Sequence, residues 1–234
     1  MYLKKYSICG VVAVCCIIFS CSKMNDTYSD FIKDGEIVYT AKVDSATSYP
    51  GNNRIALSML LTSDPKISKV KVFWTTSVKT DSSEKNIQRT SGVDTVRFAF
   101  DNLAEGTYTF DIYTYDNADH RSVKSDVIGT VYGEKYLAQL VNRAIKSSTY
   151  DNTAKTAVIK WFGVGNDVIG EEIVYADSTG TVKDLLQKHE TAADTVTVLP
   201  VYRKGNSIQF RTLYKPTPNA IDTFYSSFET RPVP

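Results

Sequence analysis

The chain has 234 residues, 42% of them apolar and 12% aromatic, enough for one large or two ordinary cores. Its formal charge is +1, and without Lys4 and Lys5 it carries 25 basic against 26 acidic side chains, which excludes a strong basic field for nucleic acid or anionic lipid. Fifteen tyrosines and ten phenylalanines, with abundant Thr and Val, favour strands over helices and predict an all-β protein.

The first twenty-one residues read as an address. Lys4 and Lys5 give a positive start, an apolar run follows from Ile8 to Phe19, and small Ser20 precedes Cys21, the layout of a secretory signal. The run is about twelve residues, whereas a helix crossing a bilayer needs about twenty. Ile18-Phe19-Ser20-Cys21 resembles the bacterial lipobox, and all four cysteines, Cys9, Cys15, Cys16 and Cys21, lie at or before the proposed cleavage point. Cleavage leaves Cys21 as the lone cysteine at the new N-terminus, the residue lipidation uses. Lipid chains there would hold the protein to the membrane at about 0.8 kcal/mol per buried CH₂. Residues 22–35 are polar, without sustained apolar periodicity, and read as a tether.

Strand signals then come in series at 36–41, 54–61, 70–75, 95–100, 108–115 and 127–132. Turn-rich breaks separate them, such as Tyr49-Pro50-Gly51-Asn52-Asn53 and Asp116-Asn117-Ala118-Asp119. Alternation puts Ile55, Leu57 and Met59 on one face, with Val70, Val72 and Trp74, then Tyr108, Phe110 and Ile112; these should form much of a first core. Over 134–145 the period changes, since Leu137, Leu140, Val141 and Ala144 fall at helical spacing, and a short helix or helical linker is expected. A second series follows at 156–162, 171–176, 195–202 and 207–214, with helical turns expected at 182–188. A tight hairpin is read at 201–206 and a last strand within 221–228.

The two series repeat. Arg54-Ile55-Ala56-Leu57-Ser58-Met59 matches Thr156-Ala157-Val158-Ile159-Lys160-Trp161, and Lys71-Val72-Phe73 matches Ile173-Val174-Tyr175, both 102 positions on. Asp94-Thr95-Val96 recurs as Asp194-Thr195-Val196, and Phe110 pairs with Phe210, 100 positions on. Two copies of one sandwich topology are therefore expected.

At Leu103-Ala104-Glu105-Gly106-Thr107-Tyr108-Thr109-Phe110, followed by 116–122, the chain resembles bacterial fibronectin type III and related immunoglobulin-like domains. Gly106 and Tyr108 stand two apart where those domains have three, which counts against a tyrosine corner at Tyr108. Together with the lipobox, Tyr49-Pro50-Gly51-Asn52-Asn53-Arg54 and Asn117 to Ser122, these residues resemble the Bacteroidales envelope lipoprotein family of domain of unknown function 4998 over about residues 15–145. The resemblance implies an envelope lipoprotein, often beside glycan-uptake systems, and supplies no catalytic residue. The predicted architecture is all-β: two tandem fibronectin type III/immunoglobulin-like sandwiches joined by a short helical linker, after a cleaved lipoprotein signal. Its segments are 1–20 (signal peptide), 21–35 (lipidated tether), 36–133 (first sandwich), 134–145 (linker) and 146–234 (second sandwich).

Chemistry is sparse. The two histidines, His120 and His189, lie in different modules without metal-ligand spacing; His120 reads as a loop residue and His189 as solvated on a helical turn. Asp116, Asn117 and Asp119 fit a turn better than a calcium loop, and 163–167 reads as a loop between strands rather than a phosphate cradle. Glu171 and Glu172 are adjacent on a strand, face opposite sides and cannot pair as catalytic carboxylates. No catalytic residue, metal site or cofactor is expected. Trp74 and Trp161 fall on apolar faces and belong to the cores. Tyr113 and Tyr115 lie opposite the face of Phe110 and Ile112 and are the ligand-binding candidates. The expectation is a non-enzymatic outer-membrane lipoprotein, held through Cys21, that binds glycan or an envelope protein in a glycan-utilisation or adhesion system. The alternative is a structural spacer or assembly subunit of an envelope complex.

Overall fold

The computed structural model describes residues 39–76, 80–189 and 195–234. The proposed signal, the lipidated Cys21 and the tether lie outside them. Residues 40–234 form one compact unit, whose regular secondary structure is nearly all strand.

The first sandwich sets three strands against four. β1 (Ser45–Pro50), β2 (Arg54–Leu61) and β5 (Asp94–Asp101) make one sheet in the order β1-β2-β5. β3 (Lys69–Thr75), β4 (Thr80–Asn86), β6 (Gly106–Tyr115) and β7 (Ser125–Val131) make the other, in the order β4-β3-β6-β7. Every pairing is antiparallel. Eight of the nine residues expected on the core face are buried, and Trp74 packs half-buried at the margin of the same cluster.

The second sandwich repeats this arrangement. β8 (Ile145–Asp151), β9 (Thr156–Trp161) and β12 (Val196–Leu199) pair as β12-β9-β8, opposite β10 (Val168–Ala176), β11 (Val182–Lys188) and β13 (Ser207–Tyr214), with the short β14 (Phe224–Tyr225) and β15 (Glu229–Pro232) beside β13. Its own core gathers Ile159, Trp161, Ile173, Tyr175, Leu199, Tyr202, Ile208 and Phe210. Three strands facing four, and then three facing five with β14 and β15 both on β13, in the same chain order, is the fibronectin type III-like sandwich that the sequence resembled.

Several local expectations are corrected, each for a physical reason. Tyr39–Ala41 is not strand; the first strand among the described residues is β1, whose last two residues fall in the expected break. β1 pairs only with β2, so Pro50, lacking an N–H, is tolerated at the end of an edge strand. β4 escaped notice because Thr-Asp-Ser-Ser-Glu-Lys-Asn has no apolar alternation: it is a polar edge strand held by the ladder to β3. The stretch 182–188 is the edge strand β11, not helix; Leu185 packs on the second core while Val182 and Leu186 stay exposed. The linker helix shrinks to one turn, α1 (Glu134–Leu137), and Val141 beyond it is 70% exposed rather than packed on a helical face. Residues 201–206 are no hairpin, since β12 and β13 belong to different sheets. The closing strand is split into β14 and β15.

The tyrosine corner that the spacing argued against is present: the Tyr108 hydroxyl donates to the Ala104 carbonyl at 2.9 Å. At the matching crossover of the second sandwich, the Tyr202 hydroxyl donates to the Asn206 carbonyl.

The repeat also acquires its true register. Ile55, Leu57 and Met59 correspond to Ala157, Ile159 and Trp161, all buried. The later matches slip. Lys71 faces outward whereas Ile173 is buried, so Val72 is the counterpart of Ile173 and Val70 that of Glu171. A hydrogen-bond bracket fixes the rest. In the first sandwich Ser122 exchanges bonds with the backbone of Thr114, whose hydroxyl donates to the Ala41 carbonyl. In the second, Ser226 does the same with Thr212, whose hydroxyl accepts from the Arg143 N–H. The equivalent buried threonines are therefore Thr114 and Thr212, which moves Phe210 opposite Ile112 rather than Phe110.

Candidate functional site

The predicted ligand face is the outer surface of the β4-β3-β6-β7 sheet, where alternation brings Lys71, Phe73, Tyr113 and Tyr115 to one side. Phe73 meets Tyr113 edge-on at 5.9 Å between centroids. Cations cap these rings: Arg121 lies over Tyr113 at 4.7 Å, Lys69 over Tyr115 at 4.9 Å and Lys71 over Phe73 at 5.3 Å. Lys69 also pairs with Asp119 at 3.2 Å, and that hydrogen bond raises the ammonium pKa above its ordinary value. Tyr113 and Tyr115 are half-buried, and their outward faces are engaged within the chain.

His120 stands in the turn, as expected. Asp116 Oδ1 accepts the Ala118 and His120 N–H groups, and its Oδ2 meets His120 Nδ1 at 2.8 Å. The His120 contact chiefly holds the Asp116 carboxyl below its ordinary value. The aspartate's oxygens serve the turn itself. Among the described residues no group of His, Cys, Asp and Glu is arranged to hold a metal ion.

His189 overturns the expectation of a solvated residue. Its side chain is 2% exposed, and those of Glu171 and Arg143 are fully buried. Arg143 Nη1 lies 3.1 Å from Glu171 Oε1, while His189 Nε2 meets Glu171 Oε2. Arg143 Nε donates to the Phe162 carbonyl at 2.7 Å, and the guanidinium sits 5.9 Å from the Trp161 ring. Glu172, next along β10, turns outward to Arg211 at 2.6 Å, so the two glutamates do face opposite sides. The buried trio ties Arg143, in the segment that leads into the second sandwich, to Glu171 of β10 and to His189 just beyond β11. Sequence spacing could not reveal it, because 28 residues separate Arg143 from Glu171 and another 18 separate Glu171 from His189.

The other site that sequence missed is the junction. Residues 215–223 of the second sandwich return to β1 and β2 of the first. Asp222 Oδ2 accepts the Asn52 N–H at 2.8 Å and Arg54 Nε at 2.9 Å, while Oδ1 takes Arg54 Nη2 at 2.5 Å. The Ile221 N–H donates to the Pro50 carbonyl at 2.7 Å, and Asn219 Nδ2 to the Ser48 carbonyl at 2.6 Å. Gly51 makes the approach possible: a Cβ there would stand 2.6 Å from Asp222 Oδ2. Behind this polar seam, Phe224 is buried between Tyr132, 5.6 Å away, and Tyr136, 5.1 Å away. Burial pushes the Tyr136 hydroxyl up to about 12. Glu105 completes the joint by accepting the Lys135 and Tyr136 N–H groups at 2.7 and 2.9 Å, capping α1 from outside.

The Arg54 hydrogen bond holds the Asp222 carboxyl below its ordinary 3.8. A depressed folded value means that the stabilisation is present above that pH and is lost as pH falls through the lowered value. The stability difference between wild type and Asp222→Asn is therefore expected at neutral pH and should shrink below about pH 3.8 in urea titrations; a pH-independent difference would contradict the role.

No helix among the described residues is long and apolar enough to cross a membrane. The FN1–FN3 domains of chicken CNTN1 are similar to the chain at 9% identity and a TM-score of 0.41, over 85% of this chain and 66% of that one. A segment of two fibronectin type III domains from chicken tenascin is similar at 15% identity and a TM-score of 0.33, over 82% and 99%. The chain thus spans just under two thirds of the first of these segments. No curated protein matches it. The model of a family described as a domain of unknown function matches residues 21–224, reaching through both sandwiches and past the span that the sequence resemblance covered. The chain belongs to the family of domain of unknown function 4998.

Proposed function

We propose that this protein is a non-enzymatic, lipid-anchored arm of the outer membrane, in which two sandwiches move as one body and hold a binding surface at a set distance from the membrane. The observation that carries this reading is the junction: a carboxylate with three hydrogen bonds, two further cross-module bonds and a buried phenylalanine. A loosely strung pair of domains would need none of them. The partner is a glycan or an envelope protein of a glycan-utilisation or adhesion system. The clamped joint equally suits a spacer subunit, which needs rigidity and no ligand.

Anchoring and rigidity are tested separately. Cys21→Ala is expected to move the protein from the membrane to the soluble fraction, and unchanged retention would remove the anchor. In small-angle scattering the wild-type chain should fit one orientation of the two sandwiches, whereas Asp222→Ala should need a distribution. A wild-type chain that already needs a distribution would defeat the rigid arm.

A further inference from the structure

At one end of the first sandwich a groove of about 600 Å³ opens between the end of β3, the start of β4 and the crossover from β5 to β6. Trp74 lines it, half-buried, its ring leaning on Phe100 with centroids 4.6 Å apart and an interplanar angle of 58°. Asp81 stands directly across from Trp74 in the β3–β4 register. Asp101, Asn102 and Thr107 border the crossover side. Asn102 occupies the left-handed region at φ 58°, a conformation Asn tolerates better than most residues.

Resting on the reading of the chain as a binding arm, we propose that this groove, with Trp74 as its platform, takes a neutral saccharide. A pyranose has a face of C–H groups that lies against an aromatic ring and a rim of hydroxyls that pairs with planar carboxylate and amide side chains. The groove offers that combination: one fixed indole, the Asp101 carboxylate, the Asn102 amide and the Thr107 hydroxyl. Its volume lies within the usual range for small-ligand sites. A cationic ligand is the competing chemistry, but such ligands favour a cage of several rings. Here Tyr108, the other ring of the lining, is buried and its hydroxyl is committed to Ala104. The contrast with Tyr113 and Tyr115 is physical: their outward faces already carry Arg121 and Lys69.

The test is an array of neutral oligosaccharides probed with the full chain, followed by titration of the best binder against tryptophan emission. Trp161 is buried with its indole N–H on Thr197 at 2.8 Å, so a change in emission reports on Trp74. Binding is expected for wild type, Tyr113→Ala and Tyr115→Ala, and should be lost in Trp74→Ala. Asp101→Ala, at an exposed position that leaves the core intact, should weaken it about tenfold or more, the loss of a hydrogen bond to a charged group. Binding that survives both Trp74→Ala and Asp101→Ala, stronger binding of choline than of any sugar, or no saccharide bound at all would each overturn the assignment. Capture of a protein partner by a chain that binds no sugar would sink the groove while leaving the binding arm standing.

Discussion

Arg143→Met is expected to destabilise the second sandwich by about 3–5 kcal/mol, because it strips the buried Glu171 carboxylate of its guanidinium partner and leaves it only the His189 contact. Against a total of about 5–15 kcal/mol for a typical domain, that is a large fraction. The same change removes the donor to the Phe162 carbonyl, so a second polar group loses its partner. The cost comes from breaking the pair, not from the worth of having it. At the equivalent position the first sandwich has Val70, fully buried, and forms the same sheet without any ion pair. Replacing the trio together, as Arg143→Met, Glu171→Val and His189→Leu, should therefore recover most of the loss, since apolar residues of similar volume often match or exceed a buried ion pair. Urea unfolding followed by fluorescence reads both variants, with Trp161 close to the cluster. A cost below about 1 kcal/mol for the single change, on the scale of an exposed pair, would show that the site is wetter than its geometry.

The strands legible in the sequence were those with one face in a core. In β2, Ile55, Leu57 and Met59 alternate with Ala56 and Ser58, and β2 was read to its exact bounds. β4 and β11 were missed or misassigned because edge strands owe their place to backbone ladders with β3 and β10, which leave no apolar period to read. The repeat was visible through buried apolar residues, but its register in β10 was not. There a glutamate sits where the first copy has a valine, and its partners come from distant segments. The surroundings of the ligand candidates were illegible for a related reason: alternation places Tyr113 and Tyr115 on the outer face but says nothing of Arg121 and Lys69 lying over them. The groove was hidden because Trp74 follows the core period of β3 up to the strand's end, where the core stops.

Phe224→Ala should uncouple the two sandwiches. Phe224 is 1% exposed, and truncating a buried phenylalanine costs about 3–5 kcal/mol, partly through the cavity left behind. Its position decides where that loss is felt. It sits in β14, on the second sandwich, yet its ring contacts are Tyr132, just beyond β7, and Tyr136 in α1. Those two rings also touch each other, 4.6 Å apart, so removing Phe224 opens the centre of a three-ring joint. The cores themselves keep their contacts, because neither cluster depends on this ring. Wild type is expected to melt in one transition by calorimetry, and Phe224→Ala in two, the unfolding of each sandwich no longer carrying the other. Combining it with Asp222→Ala should cost less than the sum of the two, since both changes act on one joint and the second finds it already open. A single transition lowered in temperature but not split would mean that the polar seam alone couples the modules; strict additivity would mean that seam and rings act as independent contacts.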